Sequence, residues 1–507
     1  MPDLTRPRDP ARTPLAVVAQ WLGVPSPGGL EEAAVEVTGL SLSSQRVRPG
    51  DLYAALPGSR AHGASYAGAA VAAGAVAVVT DTEGADLVDA AVPVLVVDEP
   101  RARLGDLAAR VYGHPALDLA LLAVTGTQGK TTTTRLAEAA LESSGTTAAV
   151  VGTNGTRIAG EDVRSSLTTP EAPDLQALFA VMREHDVRAC AMEVSSHALV
   201  MGRVDGVVFD VAAFTNLGRD HLDFHDTVED YFAAKASLFT PERCRRALVN
   251  VDDAWGRRLA DQVRTRGEVP LVTFSAAGDP ADWRAEDVDA APDGSEFTVV
   301  TPTGERVRTR VPLAGGFNVA NALCAIAGCV EAGLDVAAVA GGVAAGHGVP
   351  GRLERVDAGQ PWQAVVDYAH KPDAVRAALE ALRPVTTGRL VVVIGAGGDR
   401  DTGKRPLMGE IAASLADVLV VTDDNPRTES PAAIRAELLA GVTEGSRAEV
   451  HEVGGRRDAI ALAVDLARPG DVVLVAGKGH ETGQEVDGVV HPFDDRVVLR
   501  ELIEGSR

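Results

Sequence analysis

The sequence predicts an α/β protein of three domains built largely on parallel sheets. Three features of the chain point there. Apolar runs of strand length alternate with helical segments through the middle and last thirds. These runs are near-continuous in Val, Ala, Leu and Ile, as strands covered on both faces require. In the last third each run stops at Gly, Asp, His or Arg, and strand carboxyl ends are where open α/β sheets bind ligands. The length, 507 residues, suits about three or four domains.

Residues 1–14 are polar and Pro-rich and are expected to form a disordered tail, with no apolar signal core. An N-terminal α/β domain is expected over 15–117. DLYAAL (51–56) and AVAVVT (75–80) read as its strands, with YAGAAVAAG (66–74) as the helix between them. A turn at GHPALD (113–118) leads into the strand LALLAVTG (119–126), which opens a central domain over 118–350. TAAVVG (147–152), RACAMEV (188–194), VAAFTN (211–216) and RALVNV (246–251) supply its further parallel strands. Residues 267–312 lack helical periodicity and suggest antiparallel strands, EFTVVT (296–301) among them. A Rossmann-like α/β domain over 351–507 closes the chain. Its strands are AVVDYAH (364–370), RLVVVIGAGG (389–398), DVLVVTDDNPR (417–427) and DVVLVAGKGHE (471–481).

Composition narrows the function. A net charge of −23 argues against nucleic acid or an anionic membrane as a partner. It leaves room for an anionic ligand in a locally basic pocket. Aromatic residues are only 4%, so the cores must be mostly Ala, Val and Leu. Cys190, Cys244, Cys324 and Cys329 form no CxxC pair and read as small buried hydrophobes in a reducing compartment. No run of about 18 apolar residues is present. A soluble, cytoplasmic, monomeric protein is expected.

LLAVTGTQGKTTTTRLAEAALES has the order strand, Gly-rich turn, Lys-Thr, helix. Backbone N–H groups in such a turn cradle phosphate, aided by the helix N-terminus. Gly126, Thr127, Gln128, Gly129, Lys130, Thr131 and Thr132 are therefore candidate ATP ligands. Lys130 would reach the terminal phosphates and Thr131 would bind Mg²⁺. The common GxxxxGK[ST] pattern needs glycine at 124, where Val124 stands, so this loop is of a shorter kind. Glu193 ends a strand in CAMEVSSH and would complete a metal shell with Thr131. His221 lies beyond another strand end in TNLGRDHLDFH (215–225). Either alone is an ordinary loop residue; beside a phosphate loop they make a two-metal site plausible.

AAKASLF (233–239) carries a lysine inside an apolar stretch. Thr227 and Asp230 have the spacing of a helix N-terminus, which puts Lys235 about two turns in, with Tyr231 and Leu238 on its face. Most helical lysines are solvated. A buried one tends to lose its charge, and a neutral amine can take up CO₂ as a carbamate. Read alone, these residues favour the solvated fate and only permit the carbamate.

The short loop resembles that of the Mur ligase and folylpolyglutamate synthetase superfamily, which usually reads TGTNGKTT; Gln128 replaces the Asn. TNLGRDHLDFH resembles the NxxxDHLD signature of that family, and DYFAAKASLF its segment with a carbamylated lysine. GGFNVANALCA (315–325), GRLERV (351–356) and VVDYAHKPDA (365–374) resemble its ATP-binding segments. The resemblance implies that ATP phosphorylates a carboxylate and that an amine then displaces the phosphate. Lys130, Glu193, His221 and Lys235 (as N6-carboxylysine) would be catalytic. Thr131, Glu193, His221 and Lys235 would hold Mg²⁺. Asn318 would approach the adenine, Arg352 the phosphates and Asp367 the ribose.

LSLSSQRVRPGDLYAALPG (40–58) resembles the uridine-nucleotide site of the ligases that add the third residue of the peptidoglycan stem. The resemblance implies that Leu42, Ser44, Thr168, Thr169, Ser195 and Arg203 bind a UDP-N-acetylmuramoyl-dipeptide. Two departures stand out: Ser43-Ser44-Gln45 replaces a frequent DSR, and Met201 stands where some relatives carry Gln. DDNPR (423–427) resembles the motif of ligases specific for meso-diaminopimelate, which differs from lysine by a distal carboxylate. Arg400, Asp424, Asn425, Pro426, Arg427, Gly477 and Glu481 would bind this amine. Arg400 and Arg427 suit the carboxylate and Glu481 an ammonium. The rival readings are the same ligase using L-lysine, a folylpolyglutamate- or cyanophycin-type ligase, and a non-catalytic nucleotide-gated binding protein. The arginine of DNPR weighs against lysine. The uridine-site resemblance weighs against the second rival. The presence of Lys130, Lys235 and His221 weighs against the third.

Overall fold

The computed structural model describes residues 4–26, 35–89, 92–163, 167–221, 224–291, 293–346 and 348–505. At its centre the strand Ala120–Thr125 lies in an eleven-stranded sheet. It runs parallel to both neighbours, Ala189–Glu193 and Val211–Phe214. Neither neighbour is next in sequence, so the chain changes direction across the sheet here. A crevice outside the carboxyl end of this strand follows from that order. Ala148–Gly152 extends the parallel sheet on one side, Ala247–Asn250 and Leu271–Ser275 on the other.

Trp283–Ala291, Gly294–Val300 and Arg306–Val311 form an antiparallel meander at one edge. The expectation for 267–312 therefore holds from 283 onward, while Leu271–Ser275 is parallel to its neighbours. One sheet face is covered by Lys130–Ser143, Gly316–Glu331 and Val336–Ala345. Ala172–Glu184 covers the other. Ala, Val and Leu dominate both cores.

The N-terminal sheet has four parallel strands, Gly39–Ser41, Asp51–Ala54, Ala77–Thr80 and Val94–Val96. The disordered tail expected over 1–14 needs correction from residue 4 onward. Leu4 is buried, and the Arg6 guanidinium donates to Leu40 O at 2.7 Å and to the Tyr112 hydroxyl. Thr13–Pro14 pairs antiparallel with Glu36–Val37. Composition averaged over a short segment cannot register one leucine and one arginine that find partners far along the chain.

In the C-terminal sheet Val472–Ala476, the last parallel strand in sequence, is inserted between Gln363–Asp367 and Leu390–Ile394. Val418–Val421 and Glu449–Glu452 follow in parallel. The segments DYAH, GKGHE, GAGG and DDNPR thus leave one edge of one sheet together. All four cysteines are free and buried, and burial pushes the Cys244 and Cys329 thiols up to about 12. Among the described residues no helix is long and apolar enough to cross a membrane.

At the carboxyl ends of the C-terminal strands Arg456 and Asp495 form a fully buried, doubly hydrogen-bonded ion pair with distances of 2.8 and 2.7 Å, and Arg456 Nη2 also donates to Ala476 O at 3.0 Å. Removing one partner strands the other charge out of water. Asp495→Ala is expected to lose about 3–5 kcal/mol of stability, read by urea denaturation. A loss below about 1 kcal/mol would show that Arg456 finds another anion or water.

Candidate active site

The loop after Ala120–Thr125 is shaped by two glycines. Gly126 has φ +148° and Gly129 has φ +85°, a left-handed conformation that side chains resist. A Cβ on Gly129 would lie 2.2 Å from Asn321 Oδ1. The neighbouring strand end holds the loop from the other side. Thr127 N donates to Asn216 O at 3.0 Å, and Gln128 N to Asn216 Oδ1 at 2.9 Å. Thr215 Oγ1 donates to Gln128 O at 2.6 Å. Helix Lys130–Ser143 starts at once, so its free N–H groups open onto this turn.

Two lysines meet beneath the loop. Lys130 Nζ donates to Gly126 O at 2.8 Å and to Thr127 O at 3.1 Å; Lys235 Nζ donates to the same Gly126 O at 2.9 Å. Helix Val228–Ala236 begins at Thr227, whose Oγ1 accepts Asp230 N at 3.1 Å. That start brings Lys235 inward to 1% exposure, with Nζ 4.6 Å from the Tyr231 ring centre. The solvated fate is thereby excluded. Burial, then the charge of Lys130, holds the Lys235 amine well below the usual lysine range. Burial also lowers Lys130, with Glu193 and Asp220 opposing it.

Glu193 binds the other side of the turn. Its Oε1 accepts Thr131 Oγ1 and Thr153 N, both at 2.8 Å, and its Oε2 accepts Thr153 Oγ1 at 3.1 Å. Arg352 reaches across from the C-terminal part of the chain. Its guanidinium lies 4.7 Å over the Tyr368 ring and donates to Thr131 Oγ1 at 3.2 Å. Among the described residues no three His, Cys, Asp or Glu side chains form a metal cage. Magnesium does not require one, since it keeps several waters and binds one or two carboxylates plus phosphate oxygens. The Thr131–Glu193 pair fits that demand.

His221 does not join this pair directly. It sits at φ +52°, with Nε2 3.3 Å from Asp220 Oδ2 and its ring 4.8 Å from that of His197. Burial, partly offset by Asp220, brings its pKa down to about 4. Burial alone would raise Asp220, but Lys371 at 2.5 Å and His221 outweigh it and hold the carboxyl at about 2. Residues 222–223 of the histidine signature lie outside the described residues.

Asn318 is buried, its Nδ2 donates to Ala314 O at 2.7 Å, and its Oδ1 accepts Asn321 Nδ2 at 3.0 Å. It braces Asn321, which in turn abuts Gly129. Asp367 accepts Leu353 N and Ala369 N, each at 2.8 Å, and so shapes the chain around Arg352.

Thr168, Thr169, Ser195 and Arg203 gather beside Glu193. Thr168 Oγ1 is 3.1 Å from Thr153 Oγ1, and Thr169 Oγ1 donates to Glu193 O at 2.9 Å. Ser195 N donates to Thr169 Oγ1 at 3.2 Å, and Arg203 Nη1 to Thr169 O at 3.3 Å. Leu42 and Ser44 lie apart on the N-terminal sheet. Leu42 packs on that sheet's core, and Ser44 occupies the turn after Gly39–Ser41.

At the C-terminal strand ends Asn425 is the knot. Its Nδ2 donates to Glu481 Oε2 at 2.9 Å, while its Oδ1 accepts Lys478 Nζ at 2.9 Å and Glu485 N at 3.0 Å. Gly477 lets Asp424 approach: a Cβ there would lie 2.4 Å from Asp424 Oδ2. The loops 397–400 and 426–429 touch, and a Cβ on Gly398 would lie 1.9 Å from Pro426 O. Arg427 has φ +52°, donating Nη1 to Gly398 O at 2.7 Å and Nε to Glu485 Oε2 at 3.1 Å. Arg400 is exposed on the same loop as Gly398.

Lys478, Arg405, Glu485 and Asn321 were not singled out from the sequence. Lys478 and Arg405 are fully buried among acids, Arg405 holding Glu429 through two bonds of 2.9 Å. Lys478 stands in the strand-end segment GKGHE, but a buried cation shows itself only through its partners.

Gly129→Ala should weaken binding of a fluorescent ATP analogue about tenfold or more, because both the left-handed φ and the Asn321 contact resist a methyl group. Far-UV circular dichroism should be unchanged. Unaltered affinity would show that this loop does not form the nucleotide site.

Comparisons with known proteins follow the same three sheets. The family model "Mur ligase family, catalytic domain" matches residues 36–112, "Mur ligase middle domain" 124–329, and "Mur ligase, glutamate ligase domain" 351–479. The chain is 57% identical over 511 residues to the UDP-N-acetylmuramoyl-L-alanyl-D-glutamate–2,6-diaminopimelate ligase of Streptomyces avermitilis, covering 100% of this chain and 99% of that protein. It is 49% identical to the ligase of the same name from Corynebacterium glutamicum, over 94% of this chain and 93% of that one. A solved structure of a UDP-N-acetylmuramoyl-L-alanyl-D-glutamate–2,6-diaminopimelate ligase superposes with a TM-score of 0.71 at 34% identity, covering 98% of this chain and 99% of that chain. From the N-terminal sheet through the phosphate loop to the DDNPR edge, then, the chain belongs to the Mur ligase family and has its three-domain fold.

Proposed function

We propose that this protein is an ATP-dependent ligase that joins meso-2,6-diaminopimelate to UDP-N-acetylmuramoyl-L-alanyl-D-glutamate in peptidoglycan precursor synthesis. The carrying observation is the pair of contacts between two strand-end clusters. Arg352 donates to Thr131, and Lys371 pairs with Asp220. Through them the acid–arginine crevice of the last domain adjoins the phosphate loop of the middle one. The names of the relatives at 49% and 57% identity agree with this reading. We assign the domains to 15–117, 118–350 and 351–507, and a cytoplasmic monomer suffices because one chain carries every site.

The substrate carboxylate attacks the γ-phosphorus of ATP, the bond to the bridging oxygen breaks, and ADP leaves. The amine of diaminopimelate then attacks the carbonyl carbon of the acyl phosphate. Phosphate departs with the electron pair of the C–O bond, and the new amide nitrogen sheds its proton. Positioning and charge neutralisation supply most of the catalysis in such transfers. The N–H groups of 126–132 cradle the phosphates, and Lys130 and Arg352 offset charge on the transferred group. Asn318 approaches the adenine and Asp367 the ribose; Asp367 also orients Arg352, and Asn318 supports the loop through Asn321.

Mg²⁺, when bound, neutralises phosphate oxygens, and Thr131 and Glu193 would hold it. His221 and Lys235 are its further candidate ligands. Lys235 would qualify as N6-carboxylysine: the depressed amine adds CO₂, loses a proton and becomes an anion. Leu42, Ser44, Thr168, Thr169, Ser195 and Arg203 bind the sugar-nucleotide dipeptide. Arg400, Asp424, Asn425, Pro426, Arg427, Gly477 and Glu481 frame the amine, and the guanidiniums favour a distal carboxylate that lysine lacks.

Purified protein with ATP, Mg²⁺ and the UDP-muramoyl dipeptide should yield the tripeptide with meso-diaminopimelate and little with L-lysine, read by mass spectrometry. A product with lysine alone would refute the arginine reading, and no product with either amine would refute the ligase. Lys235→Ala should lower ligation by about 100-fold or more while ATP-analogue binding persists, with partial rescue by a small carboxylic acid. Near-normal turnover in that variant would rule out a carbamate.

A further inference from the structure

Three hydrogen bonds hold the Glu193 carboxylate, and Thr153 makes two of them. Thr153 N donates to Oε1 at 2.8 Å and Thr153 Oγ1 to Oε2 at 3.1 Å. Thr131 Oγ1 supplies the third, also to Oε1. The strand Ala148–Gly152 ends just before Thr153, and its glycine lets the carboxylate in: a Cβ on Gly152 would lie 2.3 Å from Glu193 Oε1. Two donors occupy both lone pairs of Oε1, whereas Oε2 takes one donor, Thr153, and keeps one lone pair. The Thr153 hydroxyl has a single proton and gives it to Glu193. At its 3.1 Å contact with Thr168 Oγ1 it is therefore the acceptor. Thr168, Thr153 and Glu193 thus form a chain of hydrogen bonds with one direction. Other groups pin the turn that carries Thr153: Asn154 Nδ2 donates to Pro350 O at 3.0 Å, and Asn154 O accepts Arg135 Nη2 at 2.9 Å.

Resting on the ligase reading, we propose that Thr153 is a positioning residue whose hydroxyl ties the dipeptide site to the metal carboxylate. On the metal side it orients Glu193 and leaves one lone pair of Oε2 for a divalent cation. Mg²⁺ tolerates little departure from octahedral geometry, so a carboxylate free to turn binds it less well. Hydrogen bonds from surrounding groups are what fix a metal-binding carboxylate. On the substrate side the same proton order constrains Thr168. Its proton is committed to Thr153, so towards a ligand it offers lone pairs alone. It accepts an N–H or O–H of the sugar-nucleotide dipeptide and does not donate to a carboxylate or phosphate. Removing the Thr153 hydroxyl disturbs both ends at once: Glu193 loses a donor, and the Thr168 proton loses its acceptor. The backbone bond from Thr153 N and the pinned turn remain. The N–H groups of the phosphate loop and the DDNPR strand end lie outside this chain of bonds.

The test compares wild type, Thr153→Val and Thr153→Ser in the full-length protein. Valine keeps the branched shape and the backbone N–H but lacks the hydroxyl; serine keeps the hydroxyl. Mn²⁺ is titrated in place of Mg²⁺ with a non-hydrolysable ATP analogue present, the free ion being read by electron paramagnetic resonance. Calorimetry gives the affinity for the UDP-muramoyl dipeptide, and steady-state ligation gives KM for diaminopimelate. Thr153→Val should weaken Mn²⁺ binding about tenfold or more and dipeptide binding about fivefold. Affinity for the metal-free analogue and KM for diaminopimelate should stay within about twofold. Thr153→Ser should return both lost affinities to within about twofold of wild type. Wild-type affinities in Thr153→Val would overturn the proposal, and so would a loss confined to one of the two ligands. Equal weakening of every ligand in both variants would mean that Thr153 only supports the turn, and would overturn it too. A wild type that binds Mn²⁺ with the analogue but neither binds nor ligates the dipeptide refutes the ligase reading instead.

Discussion

Two lysine Nζ atoms share one carbonyl oxygen, that of Gly126, in a buried pocket. Like charges this close, out of water, repel strongly. Much of the site can be understood as a response to that repulsion. Glu193 and Asp220 oppose the positive potential at Lys130, while Lys371 and Arg352 add to it. Two outcomes relieve the crowding: a polyanion at the loop, or loss of charge on one amine. A nucleotide supplies the first and a carbamate on Lys235 the second, so one electrostatic constraint links the proposed substrate to the proposed modification.

The same constraint joins the domains. Lys371 leaves the C-terminal strand Gln363–Asp367 four residues beyond its end and meets Asp220 next to His221. Arg352 lies just before that sheet and meets Thr131. Ala314 packs on the C-terminal core nearby, while the C-terminal crevice itself is tethered to the phosphate loop by contacts between charged or hydrogen-bonding groups. Contacts of that kind weaken in salt and respond to bound anions. A ligase that must admit three substrates and release three products is well served by such a joint.

Much of this was legible along the chain. The strands near 51, 77, 120, 148, 189, 211 and 247 were visible because buried parallel strands are continuous apolar runs. The loop from Gly126 to Thr131 was visible because its chemistry is local: two turn glycines, a lysine, a hydroxyl and a helix start. DDNPR and GKGHE were visible as polar motifs at strand ends. Two things were not. Leu4 and Arg6 looked like tail residues because their partners, Leu40 and Tyr112, are distant in sequence. Arg405 and Lys478 carried no signal, because the acids that enclose each of them come from other segments or emerge only on folding.

By itself the sequence determined the order of strands and helices, the position of the phosphate loop and the clustering of polar motifs at strand ends. These depend on periodicity and turn chemistry within a few residues. Only the tertiary structure decided which side chains lose water. Lys235 is an amine below its usual range rather than a solvated cation because burial strips it of water and Lys130, which shares Gly126 O with it, crowds it. Arg427 faces Glu485 because a later hairpin folds back along the DDNPR segment. Desolvation and charge pairing are properties of a place in space, and that place is built from segments that the chain holds far apart.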